Sequence, residues 1–331
     1  MINLPESFRI DQLHYTSGHG GDYRIVASST NVDQETEEEI VRNALVKHFY
    51  ISPEIPFKAA LRIFNLPNET TAISFVTIAG KDEFGRPGRQ HAHILLLKKE
   101  YSSYFYFPIK YLVKFHKKEY SLGSIPPIYI ELRELLKNLH DSIRQIEENI
   151  KEVVDNVINV DFLSVILSSI IRREKLLFLV DPNTIDIYDI SAEKALTSCD
   201  LIDILLYLLP NSIRSKISVS SFSIKPLQEE LNIVFSSTFT SAEEIVDRVI
   251  IDLINNQIID GKKRLKAPKD DLSKLYNRLL RQSLKEDSFE LIGTFLKTFD
   301  SLAFLAKQAK GIDEKIFRKI IKYVFSLSKA R

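Results

Sequence analysis

Cysteine, methionine and tryptophan are nearly missing from this chain, whose 331 residues include one cysteine (Cys199), one methionine and no tryptophan. A single cysteine excludes a disulfide framework and a cysteine-ligated zinc site within one chain. Since disulfides accumulate in oxidising compartments, this composition favours a cytoplasmic protein. The scarcity of thermolabile residues, beside abundant isoleucine, lysine and glutamate, is typical of a thermophile.

An excess of either charge is also missing. Lysine and arginine number 45, aspartate and glutamate 44, so no global field attracts DNA or an anionic membrane. Two local basic segments, 261–269 and 315–323, are interpreted as a solvated linker and helix face, and nucleic acid is not an expected partner. No apolar run reaches the roughly 18 residues of a membrane span, and the first residues do not resemble a secretion signal.

The length exceeds the ~250–300 residues at which single hydrophobic cores stop growing. We therefore expect an α+β or α/β protein in which a long helix joins two mixed α/β domains and a C-terminal three-helix bundle follows. The predicted divisions are a β-rich α/β domain, a connecting helix, a second α/β domain and a helical region, over residues 1–128, 129–158, 159–260 and 261–331.

Local patterns support this plan in the N-terminal third. Pro67 and Asn68 mark a turn between two apolar segments, so residues 61–79 are predicted to form a hairpin. The acidic segment 33–39 is typical of a helix start. The alternating segment 91–99 is predicted to be a strand.

One long helix is predicted next. Eight apolar residues recur at steps of four and three, which places them on one stripe: Leu132, Leu136, Leu139, Ile143, Ile146, Ile150, Val153 and Val157. Packing of the stripe within the chain is the favoured interpretation. The spacing also permits a coiled coil, so the helix at 130–158 is a candidate surface for a homo-oligomer.

The second unit alternates helices and strands. Helices are predicted at 161–175, 192–209 and 241–254, with Ser241 as a cap of the last, and strands at 176–180, 185–190, 216–223 and 231–237. After a basic linker at 260–271, three amphipathic helices are expected, with Asp271, Ser288 and Asp313 as caps.

Hydroxyl and imidazole side chains crowd the opening segment "HYTSGHGG" at 14–21. Thr16 or Ser17 could act as a nucleophile with His14 or His19 as its base, but a triad also needs an orienting carboxylate and an oxyanion hole. The glycines lack the lysine and helix of a phosphate-binding loop. We predict no catalytic residue here.

His91 and His93 are candidate metal ligands because they alternate on one face of a predicted strand. The other histidines supply no recognisable third and fourth ligand. The sequence therefore predicts no metal site and no cofactor.

The opening motif resembles the GTPase-associated proteins of bacteria, in particular their N-terminal domain of the second type. Gln12, Tyr15, Thr16 and Ser17 match its Gln-x-x-Tyr-Thr-Ser motif. Matches continue at three further places in the chain, namely Ala27 with Ser28, Arg86 with Gly88, Ala92 and His93, and the middle-domain pattern Leu209, Pro210, Arg214, Ser218 and Phe222.

This resemblance implies a non-catalytic protein that binds a GTPase in a prokaryotic signalling or defence system. Its matched side chains become the candidate binding residues, namely Tyr15, Thr16, Ser17, Arg86, His93 and Arg214. The second unit also looks like a DENN domain, and an N-terminal longin-like sheet would then imply guanine-nucleotide exchange on a small GTPase. A third alternative is a metal-dependent or hydrolytic enzyme that uses the histidine-rich sheet.

Overall fold

The computed structural model describes residues 5–17, 21–46, 55–81, 84–104, 106–190, 196–237, 248–260, 263–265 and 270–308. Its strands are β1 (Ser7–Ser17), β2 (Tyr23–Ser28), β3 (Ala59–Asn65), β4 (Thr70–Ile78), β5 (Gln90–Lys98), β6 (Gly123–Ser124), β7 (Ile128–Glu131), β8 (Lys175–Leu179), β9 (Val219–Ser220), β10 (Ile233–Ser236), β11 (Arg248–Asp252), β12 (Gln257–Asp260) and β13 (Lys263–Leu265). Its helices are α1 (Gln34–Asn43), α2 (Lys99–Tyr104), α3 (Ile109–Val113), α4 (Leu132–Asn156), α5 (Val160–Ile171), α6 (Ser198–Tyr207), α7 (Asn211–Arg214), α8 (Asp271–Glu286) and α9 (Glu290–Gln308).

One mixed sheet runs through the described part of the chain, so the expected mixed α/β fold is confirmed. Twelve strands pair in the order β13-β12-β11-β8-β10-β9-β3-β4-β5-β1-β2-β6. The remaining strand, β7, is outside this order and pairs with β1. The sheet passes from the first predicted unit to the second where β3 pairs with β9. The two predicted α/β units therefore share a sheet.

The N-terminal strands are mostly antiparallel, as predicted, and β2 with β6 is the parallel pair among them. The hairpin of β3 and β4 confirms the turn at Pro67 and Asn68, and Asp33 caps α1 by accepting a hydrogen bond from the Thr36 amide at 2.7 Å. Strands β4, β5 and β1 then pair side by side. Residues 44–46 after α1 contact one face of this sheet, and the loop at 114–127 contacts the other.

The second unit is built on the parallel strands β9, β10, β8 and β11. The predicted strands at 176–180 and 231–237 are confirmed by β8 and β10. Predicted strand 216–223 shortens to the two residues of β9. The predicted helix at 192–209 begins only at Ser198, where Thr197 and Asp200 form a capping box.

Three predictions about this unit are wrong. In the predicted helix at 241–254, the described residues form the buried strand β11 at 248–252 and a turn at 253–254, and Ser241 lies outside the described residues. A short β-branched run fits a buried strand and a helix equally well. Segment 185–190 forms isolated bridges instead of a strand because Asp186 accepts the amides of Tyr188 and Asp189 in a turn. The basic linker contains the edge strand β13, which pairs antiparallel with β12.

The long helix α4 spans 25 residues and is preceded by the unpredicted strand β7, which takes residues 128–131. Its apolar stripe packs largely within the chain: Leu139, Ile146, Ile150 and Val153 are buried, whereas Leu136 is 46% exposed. The packing that we favoured from the spacing is therefore present. No described contact tests the homo-oligomer.

The C-terminal helices α8 and α9 are present. Asp270, one residue before the predicted cap, accepts the Ser273 amide at 2.9 Å and begins α8. Helix α8 packs against α5, and Asp300 of α9 accepts the Asn211 amide of α7 at 2.8 Å, so both helices also pack on the second unit. The third predicted helix, with its cap Asp313, lies outside the described residues.

A buried ion pair ties the two halves of the sheet together. Arg62 of β3 donates two hydrogen bonds to the Glu229 carboxylate, at 3.1 and 2.8 Å, and both side chains are fully buried. The Arg62 Nε also donates to the Asn43 carbonyl at 2.6 Å, and the Ser223 hydroxyl donates to Glu229 at 3.1 Å. These bonds satisfy two charges that would otherwise be costly to bury.

No single helix within the described residues has both the length and the hydrophobicity needed to cross a membrane. Helices α4 and α5 meet that requirement only as a pair, and the pair bends by 119° at its break.

Candidate functional site in the N-terminal sheet

Strand register collects histidines on one face of the N-terminal sheet. His14 of β1 lies directly opposite His93 of β5, and Thr16 lies opposite His91. Since side chains two residues apart share a face, these three histidines form one group. His116 joins them from the loop after α3, with its ring centroid 5.7 Å from that of His93. We call His14, His91, His93 and His116 the histidine cluster.

Hydrogen bonds define the protonation of His93. The Lys117 backbone amide donates to its Nδ1 at 3.0 Å, so Nε2 carries the proton and donates to Gln12 Oε1 at 2.8 Å. The Gln12 amide nitrogen then donates to the Pro126 carbonyl at 2.6 Å. This chain of bonds attaches the loop at 114–127 to the sheet, and it uses both nitrogens of His93.

Ring stacking and one hydrogen bond join the rest of the cluster. His14 Nδ1 and His91 Nε2 lie 3.0 Å apart, and one donates to the other. Tyr120 stacks on both rings, with centroid distances of 4.8 Å to His14 and 5.1 Å to His91. Both ring nitrogens of His116 are buried and lack a partner among the described residues.

Burial keeps the cluster neutral near pH 7. It lowers the pKa of His14 and of His116 to about 4, that of His91 to about 3 and that of His93 to about 2, because the charged imidazolium loses its hydration. Repulsion between neighbouring rings lowers the pKa values of His14, His91 and His93 further. These imidazoles therefore act as hydrogen-bonding rings without charge.

An open cavity of about 350 Å³ lies beside the cluster. His14 and Tyr120 line it together with Lys117 and Glu119. Within the described residues, no group of three histidine, cysteine or carboxylate side chains is arranged to hold a metal ion. The arrangement can accept a small polar group, but it does not place a nucleophile on a base, since Thr16 Oγ1 donates to the Gln90 carbonyl at 2.8 Å.

The predicted binding residues of the opening motif are buried. Tyr15 is 2% exposed, and its ring centroid lies 6.0 Å from that of Tyr23. Burial raises the pKa of Tyr15 to about 12. Thr16, Ser17 and His93 are buried as well. These positions favour a structural contribution, and a direct contact with a partner stays a prediction. His19 lies outside the described residues.

Arg86, in contrast, is exposed. It lies on the loop between β4 and β5 (residues 79–89, here the β4–β5 loop), with its guanidinium 5.1 Å above the ring of Phe84, which is 67% exposed. Gly80 and Gly88 have φ of 80° and 83°, and the Gly88 amide donates to the Gly80 carbonyl at 3.1 Å. Both glycines adopt a left-handed conformation that other residues rarely take. Backbone hydrogen bonds thus join the two described ends of the loop.

Arg214 lies in the second unit, half-buried, away from the other five predicted residues. Its guanidinium stacks 4.7 Å above the Tyr106 ring and donates to the Leu206 carbonyl at 3.3 Å. These contacts attach α7 to the segment before α3 and to α6.

The sequence of residues 9–115 is similar to a known protein family. They match the family model described as GTPase-associated protein 1, N-terminal domain type 2. The chain contains a GTPase-associated protein domain. The match confirms the resemblance stated for the N-terminal domain, runs from β1 through α3, and covers roughly a third of the chain. No functionally curated protein matches the chain.

The GTPase-associated domain includes five of the six predicted binding residues but not Arg214. The resemblances of the second unit to a middle domain and to a DENN domain stay predictions.

Sequence reasoning missed Phe84 and Tyr120. An aromatic residue inside the Gly/Pro-rich segment "DEFGRPGR" was an available signal for Phe84, whereas nothing local indicates the stacking of Tyr120.

Proposed function

We propose that this protein is a non-catalytic partner that binds a GTPase and regulates it in a prokaryotic signalling or defence system in the cytoplasm. The match of residues 9–115 to a GTPase-associated protein domain carries this proposal. The histidine cluster is consistent with it, because its neutral rings hold the sheet and its covering loop together through hydrogen bonds and stacking.

The β4–β5 loop is the surface that we propose for the GTPase. It lies inside the GTPase-associated domain and exposes Phe84 beneath the guanidinium of Arg86. Aromatic and arginine side chains dominate the energetics of protein interfaces, and joining the two ends of a loop in advance reduces the entropy that the loop loses on binding. A partner with an apolar pocket beside a carboxylate would match this pair.

Binding to purified GTPases of the source organism tests the proposal. Each GTPase is loaded with GDP or with a non-hydrolysable GTP analogue, immobilised, and titrated with the full chain. We expect saturable binding to at least one GTPase, with a preference for one nucleotide state, because a regulator must distinguish the two. The absence of binding to every GTPase in both states would contradict the proposed function.

Variants of the β4–β5 loop test the surface. Phe84→Ala and Arg86→Ala should each weaken binding by about tenfold or more without lowering the melting temperature, since both side chains are exposed. Tyr129→Ala is the matched control: Tyr129 is 63% exposed on β7, which pairs with the opposite end of β1. Equal losses of GTPase affinity in Tyr129→Ala and Phe84→Ala would show that the interface is not centred on the β4–β5 loop.

The same complex separates a scaffold from an exchange factor. Release of a fluorescent GDP analogue is measured with and without saturating protein. A scaffold leaves the release rate unchanged, whereas the exchange factor implied by the DENN resemblance accelerates it severalfold.

A further inference from the structure

A second cavity, of about 260 Å³, lies in the second unit at the amino ends of the parallel strands β8, β9 and β10. Ligand sites of open parallel sheets usually lie at the opposite, carboxyl ends. Four isoleucine side chains form its apolar wall, namely Ile170, Ile213, Ile217 and Ile233. We call this space the isoleucine cavity.

Two cations at the rim have no side-chain partner among the described residues. Arg173 and Lys216 line the isoleucine cavity, are exposed, and make no ion pair or side-chain hydrogen bond in the described part of the chain. Glu174 also lines the cavity, but its carboxylate accepts two hydrogen bonds from Arg172, at 2.9 and 3.1 Å. The rim therefore presents two uncompensated positive charges above an apolar wall.

The backbone of Arg173 supports a functional interpretation of this position. α5 ends in a Schellman motif, in which the Arg173 amide donates to the Ile170 carbonyl at 2.9 Å and the Glu174 amide to the Ser169 carbonyl at 3.1 Å. Arg173 occupies the left-handed position of this motif with φ of 63°. Glycine is the usual residue there, because a Cβ atom makes this conformation unfavourable. The chain thus carries a cation at a position where the backbone conformation favours glycine.

We propose that the isoleucine cavity binds a small aliphatic carboxylate, with its alkyl chain against the isoleucines and its charged group at Arg173 and Lys216. An anion would form charge-assisted hydrogen bonds with the two rim cations, and an alkyl chain would bury apolar surface against the isoleucines. The volume lies just below the ~300 Å³ at which typical small-molecule sites begin, so the ligand is small. This site is separate from the GTPase-associated domain and does not depend on the proposed function.

Titration of the full chain with hexanoate tests the proposal. Isoleucine methyl groups labelled with ¹³C are followed by NMR, and the four cavity signals are assigned through single isoleucine-to-valine variants. We expect saturable shifts confined to the cavity methyls. Acetate should bind more weakly because it lacks the chain, and hexylammonium should not bind because its charge is wrong. No saturable shift with hexanoate, or equal shifts with hexylammonium, would overturn the proposal.

Two variants test the cationic rim. Arg173→Gly relieves the left-handed conformation, so it should raise the melting temperature by about 1–3 °C while weakening hexanoate about fivefold or more. Lys216→Gln should also weaken hexanoate without changing stability. Lys137→Gln, an exposed cation on α4, serves as the control and should bind like the unmodified chain. Undiminished hexanoate binding by a variant with both rim substitutions would show that the rim does not hold the anion.

Discussion

At the residue scale, the histidine cluster makes stability depend on pH. His14, His91, His93 and His116 have pKa values between about 2 and about 4 in the folded chain, against 6.5 when unfolded. Below pH 6.5 the unfolded chain therefore binds more protons than the folded chain. The stability that the cluster provides is complete above pH 6.5 and declines as the pH falls toward the folded pKa values.

We expect the free energy of unfolding to fall between pH 7 and pH 5, by up to about 1.4 kcal/mol per pH unit for each buried histidine. Urea denaturation across this range measures it. His91→Phe should flatten the slope, and His14→Phe provides a second test if that variant folds poorly. His140→Asn is the control because His140 is exposed on α4. A flat profile for the unmodified chain would contradict the prediction.

Asp203 acts in the opposite direction. Burial raises its pKa from 3.8 to about 7, so the folded chain holds a proton that the unfolded chain has lost, and stability falls as the pH rises through this range. Because four histidines oppose one aspartate, the free energy of unfolding should still fall as the pH decreases. The fall should be steeper in the Asp203→Asn variant, which lacks the opposing group.

The buried pair of Arg62 and Glu229 gives a second prediction at this scale. Glu229→Gln leaves the Arg62 charge buried without its carboxylate, so we expect a loss of about 3–5 kcal/mol in the free energy of unfolding. Glu148→Gln removes an exposed partner of Arg144 and should cost less than about 1 kcal/mol. Urea denaturation compares the two. Similar losses in the two variants would mean that breaking a buried ion pair costs no more free energy of unfolding than breaking an exposed one.

At the scale of elements, a side chain from one helix caps another. Pro108 at the start of α3 makes no side-chain capping bond, and Asp203 of α6 accepts the Ile109 amide at 2.7 Å and the Lys110 amide at 3.3 Å. The Tyr106 hydroxyl donates to the same carboxylate. The position of α3, and with it the loop that covers the histidine cluster, therefore depends on the second unit.

We predict that Asp203→Ala lowers the free energy of unfolding by about 2 kcal/mol, and Asp203→Asn by less because its amide oxygen can still accept a bond. Hydrogen exchange at Ile109 and Lys110 should accelerate in Asp203→Ala. Asp141→Ala, at an exposed position on α4, is expected to change neither quantity. Unchanged exchange at both amides would show that α3 does not need this cap.

The elements that sequence patterns predicted well are those with a local cause. Asp33 caps α1, Pro67 and Asn68 turn the hairpin, and the α4 stripe packs largely as its spacing indicates. The errors have a non-local cause. Strand β11 is extended because β8 offers it a parallel partner, and basic residues of the expected linker form the edge strand β13. Neither partner can be read from the segment itself.

At the scale of the whole molecule, the sheet and the main core run through both predicted units. The Leu61 amide of β3 donates to Ser221 Oγ at 2.8 Å, and the Ser221 amide donates to the Leu61 carbonyl at 2.9 Å, beside the Arg62–Glu229 pair. One core cluster extends from Phe8 to Phe299. Two units joined in this way are expected to unfold together.

Scanning calorimetry should therefore show one transition, with calorimetric and van't Hoff enthalpies that agree. Ser221→Ala weakens the contact between β3 and β9 and should lower the temperature of the whole transition without splitting it. Two separate peaks in the unmodified chain would instead support the predicted division into two α/β domains.

The sequence by itself determined the mixed α/β composition, the long helix, the N-terminal hairpin and the family of residues 9–115, because turns, caps, periodicities and short motifs act within a few neighbouring residues. Only the tertiary structure decided that the strands join one sheet, that four histidines become neutral by burial, and that Arg86 is exposed while Tyr15 is not. The physical reason is that strand pairing, desolvation and exposure depend on residues distant in the chain.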